Sequence, residues 1–167
     1  MATVTQSIDL AVPVRTAYNQ WTQFEAFPDF MEGIREVRQL DDVHMHWVAE
    51  IGGRVAEWDA QITEQRPDEC VAWRSTSGTE NSGVVRFEPL GPDQTRITVE
   101  IEHDPEGMLE SVGAAVGADG RRVRRDLERF RALLEERGEE AGGWRGRVGG
   151  SEVHGTPAGG PIPPGMD

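Results

Sequence analysis

At 167 residues the chain is long enough for one domain with a substantial core, and too short for several. Its formal net charge of −13, with every one of its 17 basic residues an arginine, repels phosphate backbones and anionic bilayers. Nucleic acid is thereby excluded as a partner and stable membrane insertion is not expected; a single cysteine, Cys70, excludes an internal disulfide.

In chain order, Val4, Gln6, Ile8 and Leu10 alternate with polar residues and predict a first strand rather than an apolar signal segment, so the expected location is the cytoplasm. Pro13 lacks a ladder donor but suits a helix's first turn, and Val14, Ala17, Tyr18 and Trp21 follow at helical spacing. Phe24, Phe27, Phe30 and Met31 carry the apolar series across Pro28, which implies two short helices rather than one. Strands are predicted over 34–40, 43–51, 54–64, 69–75, 83–88 and 95–102, separated by Gly, Pro and Asp turns, of which Gly52-Gly53 is the clearest hairpin. No run approaches the roughly 18 apolar residues of a membrane-spanning helix.

After the Asp104–Gly107 break, Met108, Val112, Val116, Val123, Leu127, Phe130 and Leu134 form one helical stripe, with a kink or break plausible at Asp119-Gly120. Beyond residue 137 the composition shifts. Half of the 20 glycines fall in 138–167, without periodicity, so the division expected is a folded domain over 1–137 and a disordered Gly/Pro-rich tail over 138–167.

Period-two alternation assigns faces. It places Trp47, Trp58 and Trp73 inward with Ser75, Phe87, Val99 and Ile101, and it turns His44, His46, Glu57, Asp59, Cys70, Arg74 and Arg86 outward. The long helix is small-sided over 113–118 and bulky over 127–134. Small residues over an aromatic sheet leave volume and bulky ones close it, which expects a cavity opening near 108–118 above a sealed floor; close helix–sheet packing is the alternative. The candidate ligand-binding residues are those seven from the sheet, with Val112 and Val116 from the helix.

Several motifs carry a resemblance. Ala11-Val12-Pro13-Val14, the run from Phe27 to Ile34, Trp58-Asp59-Ala60-Gln61-Ile62, Val71-Ala72-Trp73-Arg74-Ser75, Gly83 to Phe87, Thr95 to Val99 and Asp126 to Phe130 are similar to those of the SRPBCC or START-like superfamily, in its polyketide cyclase/dehydrase-like branch. The resemblance covers about residues 3–137 and implies an α+β helix-grip fold. In that fold a curved antiparallel sheet of about seven strands carries two short helices after its first strand and grips one long C-terminal helix. It also implies a hydrophobic ligand of the lipid, polyketide, isoprenoid or quinone class, or a cyclase or dehydratase activity on a poly-ketone. Fold alone does not choose between them.

The chemistry candidates are few. His103 continues the inward series from Ile101 and could accept a proton at a pocket rim, which makes it the one candidate catalytic residue. The cyclases' cavity arginine has no counterpart by this register, since Arg74 faces out. His44 and His46 share a strand face without a third ligand at a telling spacing, so neither a metal nor a cofactor is assigned. Arg121, Arg122, Arg124, Arg125, Arg129 and Arg131 crowd the long helix, interleaved with acids, and suit either a solvated face or a docking surface. Binding of a small hydrophobic molecule is the reading favoured, because the interior holds few polar groups. A polyketide cyclase or dehydratase, and a protein-interaction subunit using the arginine-rich helix, are the alternatives.

Overall fold

Alternation decides the sheet. In β1 (Ala2–Leu10) Ile8 and Leu10 are buried while Thr3, Thr5, Ser7 and Asp9 are exposed, and the strand pairs along its length with β7 (Gln94–His103), whose Ile97, Val99 and Ile101 point the same way. Between them in sequence lie β2 (Ile34–Gln39), β3 (His44–Ile51), β4 (Arg54–Arg66), β5 (Cys70–Gly78) and β6 (Asn81–Gly91). These seven strands form one curled antiparallel sheet in the order β1-β7-β6-β5-β4-β3-β2. The computed structural model describes residues 2–51, 53–78, 80–103, 120–149 and 152–154.

The turns follow their residues. β3 and β4 pair out to Ile51 and Arg54, and Gly53 takes a φ of +81°, the left-handed conformation a two-residue hairpin requires. At the β4–β5 turn Asp68 occupies that region itself, at φ 64°, directly after Pro67.

Two short helical pieces follow β1, as the apolar series across Pro28 predicts. Pro13 precedes α1 (Val14–Trp21), and the second piece, η1 (Phe24–Asp29), is a 3₁₀ helix. Three residues per turn explains it: Phe24, Phe27 and Phe30, spaced by three, all turn inward. The long helix α2 (Gly120–Arg137) buries Val123, Leu127, Phe130 and Leu134, the predicted stripe. It stops at Gly138, whose φ of +79° and N–H bond to the Leu134 carbonyl close the last turn.

An aromatic floor joins these parts. Trp21 meets Phe130 edge-on at 5.0 Å, Phe30 lies 5.0 Å from Phe130, and Phe87 packs against Tyr18 at 5.3 Å.

Simple alternation fails at several places, two of which bear on the core. Register shifts between Ile62 and Glu64 on β4, so that Gln65 turns in and is 1% exposed. Cys70, which alternation turns outward, is buried, with the Arg66 side chain against its sulfur.

The stretch beyond Arg137 also differs from what its composition suggests. Residues 140–145 lie on α1 and its C-terminal cap, where Ala141 N–H donates to Gln20 Oε1 (2.7 Å) and Trp144 N–H to Thr22 Oγ1 (3.0 Å). Arg145 bonds Asn19 Oδ1 (2.6 Å) and pairs with Asp68 (2.8 Å). β8 (Arg147–Gly149) then pairs with β4 at Gln65, and β9 (Glu152–His154) pairs with β8. The chain takes this path because it can come close: a Cβ on Gly143 would sit 2.7 Å from Asn19 Cγ. Residues 155–167 lie outside the described residues.

Candidate functional site

Between the concave sheet, η1 and α2 is a cavity of about 90 Å³. One wall is the sheet, which contributes Trp47, Trp58, Trp73, Val99 and Ile101 among others. A second is the η1 segment, with Phe24, Phe27, Phe30 and Met31, and α2 adds Val123, Asp126 and Leu127. The lining is overwhelmingly apolar, as hydrophobic ligand sites are.

Cross-strand register builds the aromatic wall. Trp47 on β3 stands opposite Trp58 on β4, and the two rings stack at 5.7 Å with planes 14° apart. Phe27 closes on the other side of Trp47 at 5.5 Å. Trp73 on β5 lies opposite Gly83 on β6, where a Cβ would come within 2.6 Å of the indole. Only a glycine lets that ring lie flat on the sheet. Its Nε1–H is held by Asn81 Oδ1 at 3.0 Å, while Asn81 N–H donates to Ser75 Oγ.

Few polar groups reach the cavity. The amide of Asn81 is one, and the carboxyl of Asp126 on α2, which alone of the two can ionise, is the other. Both donors that reach this carboxyl, the Glu32 N–H at 3.3 Å and the Arg129 guanidinium at 3.0 Å, bind Oδ1. Oδ2 has no partner among the described residues. Burial pushes the carboxyl up to about 6, against the pull of those donors and of Arg122. Glu32 completes a clasp at the cavity's margin, pairing with Arg129 at 2.8 Å and Arg122 at 3.4 Å.

Five of the predicted binding residues, Trp47, Trp58, Trp73, Val99 and Ile101, are brought together here. Two are placed elsewhere. Phe87 lies in the aromatic floor against Tyr18 and Trp21, because α1 covers that part of β6. Ser75 is spent on the β5–β6 hairpin, accepting from Asn81 N–H at 3.0 Å. Val112, Val116 and the side chain of His103 lie outside the described residues.

Sequence reasoning missed Asp126, Asn81 and the η1 aromatics as cavity residues. A signal for Asp126 was present: it sits three residues after Val123 and one before Leu127, an acid on the flank of the apolar stripe.

On the outer face, His46 is clamped between Asp59 (2.7 Å) and Glu57 (2.9 Å), and the hydrogen bonds its protonated ring donates to those carboxylates raise its pKa. Both ring nitrogens are thus taken. His44 turns to Asp41 at 3.0 Å. The arginines of α2 do not form one free face either. Arg122 and Arg129 serve the Glu32 clasp, Arg124 pairs with Glu128, and Arg131 borders an open hollow with Ser7, Asp9 and Arg96. No helix among the described residues is long and apolar enough to cross a membrane.

Comparison with known proteins bears on this geometry. Residues 10–131 match the family described as polyketide cyclase/dehydrase and lipid transport. A curated relative, an uncharacterized 17.2 kDa protein of Streptomyces lincolnensis encoded in the melC2–rnhH intergenic region, is 48% identical over 149 residues, 89% of this chain and 99% of its own length. Among solved structures, an aromatase/cyclase from Streptomyces sp. R1128 superposes with a TM-score of 0.66 at 17% identity, over 85% of this chain and 98% of that one. A Deinococcus radiodurans protein gives a TM-score of 0.65 at 27% identity (82% and 99%). A START superfamily protein from Mycobacterium smegmatis gives 0.59 at 21% (81% and 95%).

Proposed function

The chain belongs to the polyketide cyclase/dehydrase and lipid transport family, and from that premise we propose that it binds a small hydrophobic molecule in the cavity between sheet, η1 and α2. The observation that carries this reading is the wall itself. Four tryptophans and three phenylalanines line a cavity whose only ionisable group among the described residues is Asp126. Such a lining removes an apolar ring from water and leaves its orientation to a few polar contacts. At about 90 Å³ the room suits a compact ring better than a long acyl chain.

Indane, a compact fused-ring hydrocarbon, tests this reading. It should bind with a one-to-one endpoint and change the tryptophan fluorescence. Val99→Phe, which fills the cavity from β7, should abolish that binding and leave the protein folded, since a core already full would instead lose ~1–3 kcal/mol. A folded Val99→Phe protein that still binds indane would place the ligand elsewhere.

A second reading, turnover of a ketone, is favoured by one observation. Asp126 presents an unpartnered Oδ2 on an apolar cavity, and its carboxyl titrates at about 6, where it can take a proton from a carbon beside a carbonyl near neutral pH. On this reading Asp126→Asn eliminates turnover and leaves binding within about threefold of the parent. Turnover unaffected by that change would remove Asp126 from the chemistry.

A further inference from the structure

The three tryptophans on the sheet wall of the cavity, Trp47, Trp58 and Trp73, are not equivalent in their hydrogen bonding. Trp73 Nε1–H is satisfied by Asn81 at 3.0 Å. Trp47 Nε1 is buried and has no acceptor among the described residues. A buried donor without a partner is costly and uncommon, so each one calls for an explanation. Trp47 cannot turn its N–H toward water easily, because its ring is fixed on two sides. Trp58 stacks on one face at 5.7 Å, and Phe27 packs on it at 5.5 Å. The register that sets Trp47 opposite Trp58 and Val37 fixes its strand as well.

We infer that Trp47 is the specificity-determining residue of the cavity: its indole N–H donates to an acceptor oxygen on the ligand, so that the site selects an apolar ring compound bearing a carbonyl or ether oxygen over the bare hydrocarbon. This rests on the binding reading above and adds the chemistry of the ligand's polar end. The physical basis is an asymmetry. A site built to make a hydrogen bond rejects an analogue lacking the partner far more strongly than an apolar wall distinguishes two hydrocarbons. An oxygen at Trp47 fills a vacancy in the protein's own bonding, whereas the same oxygen against Trp73 would compete with Asn81.

The test compares 1-indanone with indane, two molecules of nearly one shape that differ by the ketone oxygen. The unaltered chain should bind the ketone about tenfold more tightly. Trp47→Phe keeps an aromatic ring and removes the donor; it should still bind both and reduce the preference to about twofold or less. Trp144→Phe is the control: it makes the same chemical change at a tryptophan that does not line the cavity, and the preference should survive it. Should Trp47→Phe not fold, NMR of the unaltered chain decides, because the Trp47 indole N–H signal should move downfield with 1-indanone and not with indane. The inference is overturned if both probes bind equally, if Trp47→Phe retains the preference, or if the two probes shift that signal alike. Failure of both probes to bind the unaltered chain would remove the cavity reading itself, and the inference with it.

Discussion

Asp126 shows how much one residue's surroundings can change its meaning. In the sequence it is one acid among several on an arginine-rich helix; in the fold it is the ionisable group of an apolar cavity. Burial raises its carboxyl from an ordinary 3.8 to about 6. Folded, the group therefore holds its proton up to about pH 6; unfolded, it releases it near 3.8. Between those values the folded state binds more protons, so stability falls as pH rises through that window and stays lower above it. Removing the charge should show this. Asp126→Asn is expected to raise the melting temperature relative to the parent by about 5 °C at pH ~7.5, with little difference at pH ~4.5. Thermal melts at the two pH values check it, and a difference independent of pH would mean the carboxyl's titration is not coupled to folding. His46 titrates with the opposite consequence. Its raised pKa stabilises the fold at low pH, and that contribution is lost as pH climbs past the raised value.

Among the elements, the segment after α2 is the one that composition misjudges. Its glycines suggest a chain too free to settle. Two of them, Gly142 and Gly143, are instead what allows close approach, lying against Gln23 and Asn19 where a Cβ would meet atoms at 2.9 and 2.7 Å. The polar side of α1 and its C-terminal cap is correspondingly buried: this strap covers Asn19, Gln20 and Thr22. β8 does a second task. β4 extends past the last residue paired with β3, and β8 occupies part of that open edge at Gln65. A cut after Gly143, which the sequence alone suggests is harmless, should therefore lower the melting temperature by more than about 5 °C, since it removes Trp144, the Arg145–Asp68 pair and the buried Val148. Gly143→Ala should push in the same direction through overpacking, by ~1–3 kcal/mol. Calorimetry on both variants is the measurement; two unchanged melts would mean the strap adds nothing to the domain.

For the molecule as a whole, the individual strands and the buried stripe of α2 were legible because each rests on a strict period, whereas the curved antiparallel sheet came with the family resemblance and the strand order only with the structure. Trp47, Trp58 and Trp73 fall on the concave face by counting in twos, and Val123, Leu127, Phe130 and Leu134 fall on one side of a helix by counting in threes and fours. Counting fails where the ladder slips. The register shift after Ile62 turns Gln65 inward, and no residue type in that run announces it. It also fails where a surface is covered by something distant, as Asn19 is by Glu140, Gly143 and Arg145. The cavity's outline was half visible: the sheet wall followed from alternation, but Phe87 was misplaced because alternation gives a face and not which helix lies over it. The η1 wall required recognising a spacing of three as a 3₁₀ helix rather than an irregular α-helix.

The flat seat of Trp73 on Gly83 reaches further than the packing of two residues. It means that the size of the cavity is set partly by an atom that is absent from the sheet beneath it. Any side chain at position 83 would meet the indole at 2.6 Å and the Glu100 backbone carbonyl on β7 at 2.7 Å, so the wall would have to move although position 83 is not among its lining residues. The site thus has a volume adjustment on the far side of its own wall. Variation at that single position would change which molecules fit, and it would do so through the indole that Asn81 holds, so size and polarity of the site would shift together.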